Sequence, residues 1–329
     1  MSRAIRAPER RKIAASKGGA IPGARARSIV LAGCMAATLL AAVVGAAGAD
    51  EARPAVACKR RHASRAAFLR SAGSFDVYNG LFWAGAGAAI HFGTDPSRRW
   101  THENGFDAGI RSGLRLDRFG ARRDADAASD VFLALSVGGL PLAAMGSELA
   151  RTGDCIEVWD MVGQAFEATT LALFVTESIK VAAGRERPFG RRCGVDAPRD
   201  ARCGGDDRNL SFVSGHATLA AAGAGVTCRF ALEREAFGSS RAARVAPCVL
   251  GAASAFLAGT LRVASDRHWG SDVLVGFGVG ALVGSLDVWG PFDWLRFEKR
   301  DGGGRIEATG LVLPFAQGGA VGARLAVVY

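Results

Sequence analysis

Apolar residues along this chain gather into seven runs separated by polar, arginine-rich stretches. The first run covers residues 29–48 and carries no charge. The other six span approximately 77–93, 129–148, 160–183, 212–232, 245–264 and 271–290. Each is long enough for a helix, is rich in Ala, Leu, Val and Gly, and lacks the strict alternation of a half-buried strand. The pattern predicts an all-α protein built as a six-helix bundle. With 44 glycines in the chain, its helices are expected to pack closely. Two long, arginine-rich connections, 94–130 and 185–211, read as loops, and the Pro, Gly and charge density of 185–211 rules out regular structure there. Beyond the last helix, "RIEATGLVLPFAQGGAVGARLAVVY" (305–329) reads as two short strands around "QGG", a C-terminal β-hairpin-like tail. The expected organisation is a leader (1–49), a linker (50–74), a helical domain (75–295) and the tail (296–329).

Charge changes the picture at the N-terminus. The formal net charge of +10 points first to nucleic acid. Residues 1–28, however, hold eight basic residues against the single acid Glu9. A basic start, an apolar middle (29–48) and small residues before Asp50 are the parts of a secretory signal peptide or an uncleaved anchor. Without residues 1–49 the charge falls to about +3, so the basicity belongs to export and no nucleic-acid partner is expected.

Six cysteines remain in the exported part: Cys58, Cys155, Cys193, Cys203, Cys228 and Cys248. They form no CxxC pair and no Cys/His spacing suited to zinc, so no metal site is expected. An even number in an exported chain favours disulfides, with Cys193–Cys203 first and Cys228–Cys248 second; buried free thiols are the alternative.

Three short stretches carry candidate chemistry. Lys180, the sole lysine between Lys59 and Lys299, stands seven residues before Arg187-Pro188. "SFVSGHATLA" (211–220) places Ser214, Gly215 and His216 at the start of an apolar helix. "LRVASDRHWGSD" (261–272) holds Arg262, His268 and Asp272. Singly, each has a structural explanation: a solvated helix end, an N-cap, a core histidine, a first-turn acid. Jointly they describe an anion site. Lys180, Arg187 and Arg262 have no carboxylate beside them in these motifs, and Gly215 lets backbone approach an anion at a helix N-terminus. Asp272, four residues after His268, is placed to fix its tautomer and free the other ring nitrogen for attack. His216 is placed to supply a proton to a departing oxygen.

Order and spacing resemble the superfamily of type-2 phosphatidic acid phosphatases, bacterial acid phosphatases and vanadium-dependent haloperoxidases, with its pattern K-x6-R-P, P-S-G-H and S-R-x5-H-x3-D. The resemblance covers about residues 160–285. Two positions depart from it: Val213 stands for Pro and Leu261 for Ser. The resemblance implies a six-helix fold and metal-independent phosphatase activity without a cofactor. It implies His268 as the residue phosphorylated, Asp272 as its partner and His216 as general acid. Lys180, Arg187, Ser214, Gly215 and Arg262 would bind phosphate. Phosphorylated lipids or small phosphoesters are the expected substrates. A vanadate-dependent oxidase and a non-catalytic envelope scaffold are the alternatives.

Integral members place this site outside the membrane, after three spans. Here residues 29–48 already cross, so six further spans would leave the site in the cytoplasm. This favours a bundle exported whole to the periplasm and associated with the membrane, over an integral inner-membrane protein.

Overall fold

The computed structural model describes residues 72–94, 97–193, 203 and 206–286, together with the backbone of 296–300, 306–317 and 320–328. The expected leader and nearly all of the linker lie outside the described residues. Seven helices are described: α1 (Ala72–Gly93), α2 (Gly105–Leu114), α3 (Phe119–Thr152), α4 (Cys155–Ala183), α5 (Gly215–Glu233), α6 (Arg241–Ala264) and α7 (Gly270–Ser285). The protein is all-α in its helical body. The six apolar runs are α1, the second half of α3, and α4 to α7.

The connection 94–130 is not a loop as its composition implied. It contains α2 and the first half of α3, anchored by ion pairs of Asp107, Arg111 and Asp126, by hydrogen bonds of Arg122 and by the packing of Ile110. Asn104 opens α2, accepting from Asp107 N at 2.8 Å. Arg122, buried on α3, donates to the carbonyls of Leu116 and Asp117 at 3.0 and 2.9 Å. Charge density was therefore no sign of loop.

Helix ends follow local chemistry. Gly153 (φ 67°) closes α3, and Asp154 immediately opens α4, accepting from Ile156 N at 2.9 Å. Gly184 (φ 53°) ends α4 and turns the chain toward Arg187.

α5 is the central helix, with α6, α7, α4 and α3 around it. Its residues are small because its neighbours come close. Gly276, Gly280 and Gly284 form a stripe on α7, where a Cβ would strike the backbone of Ser214, Thr218 and Ala222. This backbone-to-backbone contact fixes the start of α7 beside the start of α5. On the other side, a Cβ at Gly223 would strike Ser136 in a π-helical turn of α3 (Leu135–Gly139). A core of Met145, Met161, Val226, Phe230 and Phe237 fills the end remote from these helix starts. The Cys228–Cys248 disulfide ties α5 to α6 there, and Cys193–Cys203 closes the loop after Arg192.

Three strands follow the bundle: β1 (Arg296–Arg300), β2 (Ile306–Gln317) and β3 (Ala320–Val328). They form one antiparallel sheet in the order β1-β2-β3. The expected hairpin is β2–β3, and β1 is an additional strand.

Among the described residues, two helices, α3 and α6, are long and apolar enough to cross a membrane. Large apolar side chains stand exposed on α6 (Val249, Phe256), on α7 (Leu274, Leu282) and on α3 (Leu142).

Candidate active site

The three motifs meet where α4 ends, α5 and α7 begin, and α6 delivers Arg262. Ser214 caps α5, its hydroxyl accepting from Ala217 N at 3.5 Å, and its own N–H donates to the Asp272 carbonyl at 3.0 Å. Lys180 lies across from this helix start. A Cβ on Gly215 would stand 3.3 Å from Lys180 Nζ and 3.6 Å from Thr176 Cγ2. Gly215 thus keeps open the space between the lysine and the amides of the first turn, where an anion is favoured. Arg187 enters from the loop after α4, with Nη1 at 3.4 Å from His268 Nε2.

His268 is almost wholly buried, and its Nδ1 lies 2.8 Å from the carbonyl of Ser211. A carbonyl only accepts, so Nδ1 carries the proton and Nε2 keeps its lone pair toward Arg187. Here the sequence-based expectation needs correction. Asp272 Oδ2 stands 3.6 Å from Nδ1, too far to hold the ring directly. Its oxygens accept instead from Ser211 Oγ at 2.5 Å, from Trp269 N at 2.9 Å, and from Arg185. Asp272 therefore reaches His268 through Ser211, whose hydroxyl it holds and whose carbonyl holds the ring.

Burial sets the protonation of the site. It pushes His268 well below the ordinary histidine value, and Arg187, Arg262 and Lys180 push in the same direction. The ring is neutral at pH 7, as a nucleophile requires. His216 is lowered to about 4 by burial and by Arg262, while Asp130 pulls the other way. Burial raises Asp272, against the pull of Arg185 and of its hydrogen bonds. Burial also lowers Lys180, with Glu177 opposing.

The cations are not free of carboxylates. Lys180 pairs with Glu177 at 2.6 Å, Arg187 with Asp207 at 2.5 Å and Arg262 with Asp126 at 2.5 Å. Only Glu177 was near its partner in sequence, one helical turn before Lys180. Folding supplies the others: Asp126 from the first half of α3, which runs past the site, and Asp207 from the turn before α5. Asp126 also accepts from Arg267 at 2.7 Å, and Asp130 Oδ1 sits 2.7 Å from His216 Nε2. Arg262 Nε is nonetheless buried with no acceptor among the described residues, a donor that a bound anion would satisfy.

Sequence reasoning also missed Arg185. Almost fully buried, it donates to Ser271 Oγ at 2.7 Å, to Asp107 at 2.5 Å and to Asp272, and its guanidinium lies 4.0 Å from the centre of the Trp100 ring. It locks α2 and the start of α7 to the end of α4. In "GRERP" nothing marks it apart from Arg187, since both are loop arginines near one proline.

The arrangement sets one histidine, His268, among the cations Lys180, Arg187 and Arg262 beside a helix N-terminus, with His216 close by. Neither the curated proteins nor the solved structures compared with this chain give a match. A family model does: residues 162–295, which carry all three motifs, match the PAP2 superfamily.

Proposed function

We propose that the protein is a metal-independent phosphatase acting on phosphate monoesters, with lipid phosphates as the preferred class, through a phosphohistidine at His268. The superfamily match supports a phosphoester hydrolase in general. The observation that carries the finer reading is the contact of Arg187 Nη1 with His268 Nε2 at 3.4 Å. It sets the unprotonated ring nitrogen against the group that would hold the phosphoryl oxygens.

In the first step Nε2 attacks phosphorus and the bond to the leaving oxygen breaks. Charge on the equatorial oxygens is stabilised by Lys180, Arg187, Arg262 and the first-turn amides of α5. His216 gives the leaving oxygen its proton. With its pKa at about 4 in the free protein, the His216 ring is unprotonated at pH 7, so it takes up that proton only with substrate bound. A dianion bound beside the ring raises its affinity for a proton. In the second step water attacks the phosphohistidine, His216 accepts its proton, and phosphate and free His268 are regenerated.

Lipid phosphates are favoured by the exposed apolar side chains of α3, α6 and α7, which suit a membrane-associated body exported to the periplasm. A panel comparing long-chain phosphatidic acid, an isoprenoid diphosphate and p-nitrophenyl phosphate in EDTA tests the class. Preference for the lipids is expected, and hydrolysis of the soluble ester alone would contradict it. Bromination with added vanadate and no phosphatase activity would favour the oxidase reading.

A further inference from the structure

Asp207 lies on a short 3-10 turn (Asp206–Asn209) between the Cys193–Cys203 loop and the start of α5. Its side chain is 53% exposed, yet it is aimed at the anion cradle. Its Oδ1 accepts from Arg187 Nη2 at 2.5 Å, and its Oδ2 stands 3.7 Å from Arg267 Nη1. Its backbone carbonyl accepts separately from Arg187 Nε at 2.8 Å. Its charge is also felt by Lys180.

The other carboxylates of the cradle are committed elsewhere. Glu177 is buried between Lys180 and His91. Asp126 bridges Arg262 and Arg267, and Asp130 holds His216. Asp207 alone among these presents its carboxylate to the cradle from a largely exposed turn without a second task in the mechanism. It can withdraw into water while its carbonyl keeps Arg187 in place.

Charge favours such a withdrawal, which offsets one of the two charges a dianion brings. Lys180, Arg187, Arg262 and Arg267 face Glu177, Asp207, Asp126 and Asp130, so the cradle is already compensated. A dianion added to it without release would bring two unbalanced charges into a buried site. A carboxylate offers a guanidinium the same pair of oxygens that a phosphoryl group offers.

Resting on the phosphatase reading above, we propose that Asp207 is the resident anion of the cradle. It positions Arg187 in the free protein, yields to the substrate's phosphoryl group, and thereby sets the affinity for phosphate.

Equilibrium titration of the full chain with inorganic phosphate tests this on wild type, Asp207→Asn and Asp207→Glu. Asp207→Asn is expected to bind phosphate about three- to tenfold more tightly, with a matching fall in KM for p-nitrophenyl phosphate. Asp207→Glu, which keeps the charge, is expected to return both toward wild type. A wild-type structure with phosphate bound is expected to show Asp207 out of hydrogen-bond reach of Arg187. Equal or weaker phosphate binding by Asp207→Asn, or an Asp207–Arg187 contact retained beside bound phosphate, would overturn the proposal. Wild-type protein that neither binds phosphate nor hydrolyses the ester would overturn the reading of the site, and the role of Asp207 with it.

Discussion

The ring of His268 is held by the backbone of Ser211, with Nδ1 at 2.8 Å from the carbonyl oxygen, while Asp272 stands 3.6 Å away. The tautomer with Nε2 unprotonated is thus set by a main-chain acceptor that no side-chain substitution removes. Asp272 acts one step back, through the Ser211 hydroxyl. Ser211→Ala keeps the carbonyl but removes one of the two donors to Asp272 Oδ2, leaving that from Trp269 N. It is expected to lower kcat for p-nitrophenyl phosphate about tenfold, far less than loss of the histidine, and steady-state kinetics on the two variants compares them.

His216 and Asp130 form the second pair, at 2.7 Å, and Asp130 raises the ring's proton affinity against burial and Arg262. Asp130→Asn removes that support, so His216 loses its proton at lower pH. The alkaline limb of the kcat profile is expected to move to lower pH, with kcat at pH 7 reduced about tenfold. A profile unmoved by the substitution would separate Asp130 from the proton transfer.

Much of this site was legible in the sequence, and what escaped has a physical reason. Lys180, Arg187, Ser214, Gly215, His216, Arg262, His268 and Asp272 were found because motif spacing and helix-start chemistry are local properties. The six apolar runs were legible because a helix that packs on neighbours must show its buried residues. The first half of α3 was not, since "ARRDADAASD" offers only alanines as apolar residues, and its buried Arg122 and Ser129 are held by backbone carbonyls that the sequence does not reveal. Asp126, Asp130 and Asp207 acquire meaning only through α6, α5 and the Arg187 loop, between 20 and 141 residues away. Arg185 was hidden among similar arginines for the same reason.

Arg185 has almost no exposure and three oxygen-bearing partners, Asp107, Ser271 and Asp272. Arg185→Met leaves two buried carboxylates without their cation. A loss of about 3–5 kcal/mol in unfolding free energy is expected, measured by urea denaturation. A midpoint equal to wild type would show that the pair contributes no stability.

The histidines tie stability to pH. Both His216 and His268 have folded values below their unfolded value of about 6.5, so the unfolded chain binds more protons as pH falls below that point. Their stabilisation is present above pH 6.5 and is lost as pH falls toward 4. For His216 alone the loss amounts to at most about 3 kcal/mol. Thermal melts from pH 7 to pH 4.5 are expected to show the decline, and His216→Asn to flatten it.

Lys180 Nζ lies close against the start of α5, 3.3 Å from the position of a Gly215 Cβ. Lys180→Ala is expected to lower kcat/KM at least a hundredfold, and Lys180→Arg to recover only part of it, because the fork is wider than the ammonium it replaces. Equal activity in the arginine variant would contradict this.

The covalent role of His268 is the centre of the account, and rapid-quench mass spectrometry of the peptide containing it, during turnover of p-nitrophenyl phosphate in EDTA, tests it most directly. A phosphoryl group on His268 in wild type, with His268→Ala inactive and unlabelled, is the predicted result. Full hydrolysis by His268→Ala, or label on another residue, would contradict it.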